Sequence, residues 1–275
     1  MMKNFIPLVE GRSLFGADVE AYQEGRPDYP PQVYSLLKNY CSQKPIVRVL
    51  EIGPGTGLVT QHLLEMGCQV TVVEPDNRFA ATLINKFKPQ YSEFFTVIND
   101  TFEDVNFHQE QFDLVVAATS FHWIDPNIGL EKVFRLLCTN GWFGMWWSIF
   151  DDLTNSDNFK KRTSHLFEEL NLSPSRREGK HRPFGLQTVS RTNELIATGF
   201  KNILVKEHNW VSTMDSLKTR SLFATFSAVA QLSVDERIKF LDEITRIVDE
   251  EFGGIVERNF TTIIYYAQKP MGYNL

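Results

Sequence analysis

Three glycines at alternate positions, Gly53, Gly55 and Gly57, stand between an apolar run and an amphipathic one in the stretch VRVLEIGPGTGLVTQHLLEMG. The run before them, with Val47, Val49, Leu50 and Ile52, fits a strand buried on both faces of a parallel sheet. Glycines in this place let the backbone turn sharply and approach a ligand without a Cβ in the way. Thr56 stands where it can cap the following helix, which carries Leu58, His62, Leu63 and Met66 at helical spacing and stops at Gly67. Strand, glycine turn and helix N-terminus in this order predict an α/β chain with a parallel sheet.

The ligand of such a turn follows from what surrounds the glycines. A dinucleotide diphosphate calls for a third glycine at position 58, and Leu58 stands there. Glu51, two residues before the first glycine, would repel a diphosphate and suits a ligand that bears an ammonium group. A second β run, QVTVVE, ends on Glu74 one helix and one strand later. In a doubly wound sheet that places Glu74 beside the turn, where a carboxylate accepts both hydroxyls of a ribose. Asp76 reads as the cap of a helix over 77–87.

The glycine stretch resembles motif I of the class I S-adenosylmethionine-dependent methyltransferases, and with three further segments that agree the chain resembles the ubiquinone-biosynthesis or trans-aconitate type of that family, which acts on small molecules. Residues 12–31, RSLFGADVEAYQEGRPDYPP, resemble the family's "F…Y…RP.YP" lead-in, which implies that Tyr22 and Arg26 help to close over the cofactor; their packing the arm onto the core is the other reading. NDTFEDVNF resembles the "G-D-A-E-D-L-P-F" loop, with Asp100, Thr101 and Phe102 in place of its first three residues. The resemblance implies an adenine contact from the Thr101 hydroxyl or the Asp100 carboxylate, with the face of Phe102 toward the ring. The strand FDLVVAA runs into TSFHWIDP, similar to the segment after the family's fourth strand that borders the methyl group and the acceptor. Together these place Glu51, Gly53, Gly55, Thr56, Gly57, Glu74, Pro75, Ala117 and Thr119 at the cofactor, S-adenosyl-L-methionine, and His122 and Trp123 at the acceptor. For His122 a catalytic role and a packed, hydrogen-bonded one stand equally open. Asp125 reads as a helix cap ahead of Pro126.

The expected fold is a Rossmann-like, doubly wound, mostly parallel seven-stranded sheet with an antiparallel last strand and a helical cap. Strands are expected at 47–52, 69–74, 94–98, 112–118, 142–147, 203–211 and 256–268, with Thr139, Asn140 and Gly141 closing the helix that starts at Pro126. Residues 1–150 would form the cofactor-binding core with its N-terminal arm, 151–254 the cap segments and the sixth strand, and 255–275 the final strand. Ser233 with Glu236 marks a capping box ahead of one of two amphipathic helices between 214 and 252. The run SRREGKHRPFG reads as a solvated loop; folded over the site, Arg177 and Arg182 would hold an anionic substrate, and Trp210 its apolar part.

Among 275 residues with a net charge of −6, the acidic balance argues against nucleic acid as an obligate partner. Cys41, Cys68 and Cys138 suggest neither a disulfide framework nor a metal site. No apolar run approaches membrane-spanning length and no signal-peptide pattern is present, so a cytoplasmic protein without a membrane partner is expected, monomeric or homodimeric, with a small-molecule substrate. The activity these readings imply is methyl transfer from S-adenosylmethionine. The alternatives are a protein that binds that cofactor without turnover and, less well matched, an NAD-dependent oxidoreductase.

Overall fold

The protein, seen here as a computed structural model, is described over residues 6, 18–42, 44–150, 153–171 and 182–271. Its residues group into two units: Tyr29–Trp147, Gly185–Glu207 and Thr262–Leu275 in one, and Met1–Asp28, Ser148–Phe184 and His208–Thr261 in the other. Residues 18–28 of the N-terminal arm group with the cap segments, and residues 29–31 with the glycine stretch.

The seven-stranded sheet consists of β1 (Arg48–Ile52), β2 (Gln69–Val73), β3 (Phe95–Ile98), β4 (Phe112–Ala118), β5 (Leu137–Ile149), β6 (Lys201–Asp215) and β7 (Ile255–Gln268) in the order β3-β2-β1-β4-β5-β7-β6, and the first unit takes β6 up to Glu207 and β7 from Thr262. Six strands run parallel and β7 runs antiparallel to them, its Lys269 end exchanging backbone bonds with Asn140 and Gly141. Strand order reverses between β1 and β4, which pair Glu51 with Val116, and the carboxyl ends at such a switch point are where open α/β sheets bind ligands.

Alternation along the strands sorts side chains into two layers. Val49, Val72, Leu114, Val116 and Trp146 pack under α2 (Pro31–Cys41), α3 (Leu58–Glu65) and α4 (Asn77–Tyr91). On the other side Phe143 meets Phe200, and α5 (Pro126–Leu136) packs against α7 (Thr188–Thr198). Two sequence expectations shift by a residue or more. In α3 the buried face is Val59, Thr60, Leu63 and Leu64, with His62 half-exposed against the Tyr34 ring. In β5 the strand begins directly at Leu137, so Thr139, Asn140 and Gly141 lie within it instead of closing a helix. Asn140 takes φ 63°, and the irregular register between Phe112 and Leu114 absorbs the extra residues as a bulge. Cys41 and Cys68, far apart in sequence, meet as buried free thiols with their sulfurs 3.2 Å apart. Among the described residues no helix is long and apolar enough to cross a membrane.

The second unit holds α1 (Val19–Gly25), α6 (Asn158–Thr163), α8 (Ser216–Ala224), α9 (Ser227–Ala230) and α10 (Val234–Arg246), which continues into a π-turn at Ile247–Glu251. Of these, α8, α9 and α10 stand where two helices were expected between 214 and 252, and the Ser233/Glu236 capping box forms as read. Its core is aromatic: Phe159, Phe223, Phe240 and Phe260 pack with Leu222, Ile244 and Ile247. Arg258 is buried in it with the rings of Phe150, Phe159 and Phe223 within 5.7 Å of its guanidinium carbon. Asp157 offsets that charge, accepting from Arg258 Nε at 3.0 Å while also capping α6 through the Lys160 amide. Asp157→Ala leaves a buried cation without its counter-charge, so a loss of about 3–5 kcal/mol is expected. Urea unfolding measures it, and Asp157→Ala combined with Arg258→Met should lose less; equal midpoints for wild type and Asp157→Ala would show that the pair does not hold this unit.

Candidate functional site

All three glycines of the turn after β1 adopt positive φ, at 65° for Gly53, 58° for Gly55 and 81° for Gly57. Gly57, and not Thr56, occupies the N-cap of α3, with no side-chain cap bond; Thr56 is buried beside it. A residue that needs the left-handed region at the cap excludes the extended conformation a threonine cap requires. A Cβ on Gly57 would also fall 2.5 Å from the Phe87 ring, so α4 packs directly on the turn.

Two carboxyl groups flank the turn. Glu74, 5% exposed at the end of β2, accepts the amides of Gly55 at 3.1 Å and Asp76 at 3.0 Å. Glu51, 1% exposed in β1, accepts the Thr60 hydroxyl at 2.6 Å. Burial pushes the Glu74 carboxyl up to about 7 against the opposing pull of its two amide bonds. Burial likewise raises Glu51 to about 8, opposed by the Thr60 bond and aided by the nearby Glu74 charge. Asp76 caps α4 through the Arg78 amide and pairs with the Arg78 guanidinium at 2.6 Å.

The loop after β3 is tied to the same edge, because Asn99 Nδ2 donates to the Glu74 carbonyl at 2.8 Å and the Pro75 carbonyl at 3.2 Å. Within it, the Asp100 carboxylate accepts the Thr101 amide, and the Thr101 hydroxyl donates to Asp104 at 2.6 Å. Phe102 is buried with Lys132 Nζ 5.1 Å above its ring. After β4, whose Ala117 is fully buried, Thr119 takes φ 54°. A β-branched residue in that region is strained, and such strain persists where surrounding bonds over-determine it. Here the Trp146 carbonyl accepts the Thr119 amide at 2.8 Å and the Tyr29 hydroxyl sits 2.9 Å from the Thr119 hydroxyl. Ser120 bridges the switch point by donating to the Ile52 carbonyl. His122 and Trp123 follow in a 3-10 turn, both buried, with the His122 Nδ1 accepting from Trp147 Nε1 at 3.0 Å.

The fold therefore brings Glu51, Gly53, Gly55, Thr56, Gly57, Glu74, Pro75, Asp100, Thr101, Phe102, Ala117, Thr119, His122 and Trp123 onto the strand ends of one unit. Tyr22 and Arg26 belong to the other unit, where Arg26 Nε donates to the Thr225 hydroxyl at 2.9 Å and the guanidinium lies over the Tyr22 ring. Trp210 is also there, stacked on Phe260 at 4.6 Å, and Arg182 is exposed. Arg177 lies outside the described residues. Sequence reasoning passed over Thr60, Ser120, Tyr29 and Trp147. Thr60 had a signal, being the polar residue on the buried face of α3; the others are fixed by contacts across the sheet.

Residues 50–145 match the family described as "Methyltransferase domain". An uncharacterized methyltransferase of Mycobacterium tuberculosis is 30% identical over 138 residues, which span about half of each chain, 50% here and 53% there. An uncharacterized methyltransferase of Schizosaccharomyces pombe is 25% identical over 261 residues, covering 93% of this chain and 96% of its own. Among solved structures, Haemonchus contortus phosphoethanolamine N-methyltransferase 2, in complex with phosphomonomethylethanolamine and S-adenosylhomocysteine, superposes with a TM-score of 0.58 at 18% identity, over 97% of this chain and 61% of that one. The cyclase SpnF superposes with a TM-score of 0.60 at 14% identity, over 99% and 100%. At such identities these two structures share the fold.

The raised Glu51 carboxyl makes a pH prediction that needs no ligand. Folded, it holds its proton up to about 8; unfolded, only to its ordinary 4.5. Its contribution to stability is thus fully present below about 4.5 and is lost as pH rises through about 8. Glu51→Gln removes the titration, so thermal unfolding followed from pH 5 to 9 should show a shallower decline with rising pH than wild type; parallel curves would refute the assignment.

Proposed function

We propose that the chain is an S-adenosylmethionine-dependent methyltransferase acting on a small molecule. The observation that carries this reading is the buried Glu74 carboxyl, bonded to the Gly55 amide at the switch point of the sheet. The donor set fits the cofactor: the turn GPGTG brings no cation for a diphosphate, while the Glu74 carboxyl stands ready for ribose hydroxyls. Each oxygen of Glu74 accepts one amide and keeps a lone pair for a ribose hydroxyl. Bound there, the cofactor supplies an activated methyl on a sulfonium.

What the protein adds is position. The glycine turn and Glu74 hold the donor end, the loop at Asp100–Phe102 borders the base, and Thr119 through Trp123 form the wall at which an acceptor is placed. Holding two reactants in line in a dry site lowers a barrier by about 7–11 kcal/mol without any further chemistry. The sequence resemblance keeps Tyr22 and Arg26 in the proposal as closing residues and Arg177, Arg182 and Trp210 as contacts of an anionic acceptor with an apolar part.

Calorimetry with S-adenosylhomocysteine tests the cofactor site. Glu74→Ala should lose about 1.5–3 kcal/mol of binding, and wild-type affinity should fall as pH drops below about 7, where Glu74 takes up its proton. Glu74→Gln should bind weakly at every pH. No binding by the wild type would end the proposal. Turnover is tested with methyl-labelled S-adenosylmethionine and a panel of metabolites: an enzyme consumes label only with an acceptor present. Hydrogen exchange over residues 19–30 should slow with S-adenosylhomocysteine bound; unchanged exchange removes Tyr22 and Arg26 from the site.

A further inference from the structure

Indole nitrogen is a hydrogen-bond donor only. Trp147 Nε1 lies 3.0 Å from His122 Nδ1, and both side chains are buried, so the direction of this bond is fixed by the chemistry of the pair. Nδ1 has to present its lone pair, which leaves the ring proton on Nε2. We propose that Trp147 is a positioning residue that holds His122 in this one tautomer, so that the ring is not the base that takes a proton from a methyl acceptor. The proposal rests on the methyltransferase reading above and narrows its substrate class.

The indole is itself held by two further neighbours. A Cβ on Gly185 would lie 3.0 Å from three atoms of the Trp147 side chain, so the Gly185 backbone packs directly against it. Tyr265 meets the indole edge-on at 6.2 Å and donates its hydroxyl to the Gly185 carbonyl at 2.6 Å, fastening that backbone in place. Trp147 also faces the opposite layer from Trp146, as neighbours in a strand must.

Two routes by which His122 would accept a proton are then closed. Nε2 already carries one, and a proton on Nδ1 would set two N–H groups against each other across 3.0 Å in a buried site. An acceptor served by this ring arrives with its nucleophilic atom already unprotonated, a carboxylate being the simplest such group. Its oxygen lone pair forms the new O–CH3 bond while the S–CH3 pair returns to sulfur, and no proton is released.

Nitrogen-detected NMR of ring-labelled protein reads the tautomer directly, with the His122 signals picked out among the six histidines by His122→Gln. The wild type should show Nδ1 bare and Nε2 protonated. Trp147→Phe keeps an aromatic ring and removes the donor, so the two tautomers should mix while affinity for S-adenosylhomocysteine is unchanged and kcat falls on the order of tenfold. A protonated Nδ1 in the wild type, or an unaltered His122 pattern in Trp147→Phe, overturns the proposal. If Trp147→Phe does not fold, the wild-type spectrum decides alone. Failure to bind S-adenosylhomocysteine with the tautomer as stated would instead remove the methyltransferase reading and leave the lock standing.

Discussion

Buried carboxyl groups are costly, and this chain places two of them within one glycine turn of each other. The cost is tolerable because each has a partner that holds it: Thr60 for Glu51, and the amides of Gly55 and Asp76 for Glu74. The dependence runs in both directions. A left-handed turn projects amides that no strand can satisfy, and Glu74 takes one of them, so the end of β2 fixes the shape of the loop after β1. Phe87 then lies against Gly57, and Asp76 starts the helix that carries Phe87. Turn, strand end and helix start form one closed set of constraints, with Asn99 adding the next strand to it.

That closed set is the part most legible in the sequence, because it is local: glycines, a carboxylate at each strand end and a capping aspartate are tied to their places by backbone geometry. The parallel order with an antiparallel last strand, and the capping box at Ser233, were legible for the same reason. Failures occurred where a tertiary contact outweighed local preference. Thr56 is a good cap by propensity, yet Gly57 takes the cap because the turn needs φ near 81° there. Thr139-Asn140-Gly141 has the composition of a helix stop, yet β7 pairs alongside and draws it into β5 as a bulge. His122 was found as a residue, while its partner Trp147 was not, since no sequence spacing joins a 3-10 turn to the far end of another strand. Of the expected substrate contacts, Arg177 lies outside the described residues, and Trp210 is half-buried in the aromatic core of the other unit.

The same sheet supports both the Haemonchus methyltransferase and the cyclase SpnF, so topology by itself does not choose a reaction. What separates reactions on such a fold is the chemistry lining the strand ends. Here that lining is asymmetric. The first two strands contribute carboxyl groups, while β4 and β5 contribute a strained threonine, an imidazole and an indole.

The grouping of segments has a consequence for how the chain is made. Each unit draws on three separate stretches of sequence, and β7 contributes to both. In one unit Asp18 waits for Arg237 across 219 positions, and in the other the Leu137 carbonyl waits 132 positions for Lys269. Loops of that length must close before their contacts stabilise anything, which slows folding. On the ribosome, then, neither unit can complete its core until β7 has been synthesised. Until then the nascent chain carries its aromatic clusters incomplete, with apolar surface exposed to aggregation.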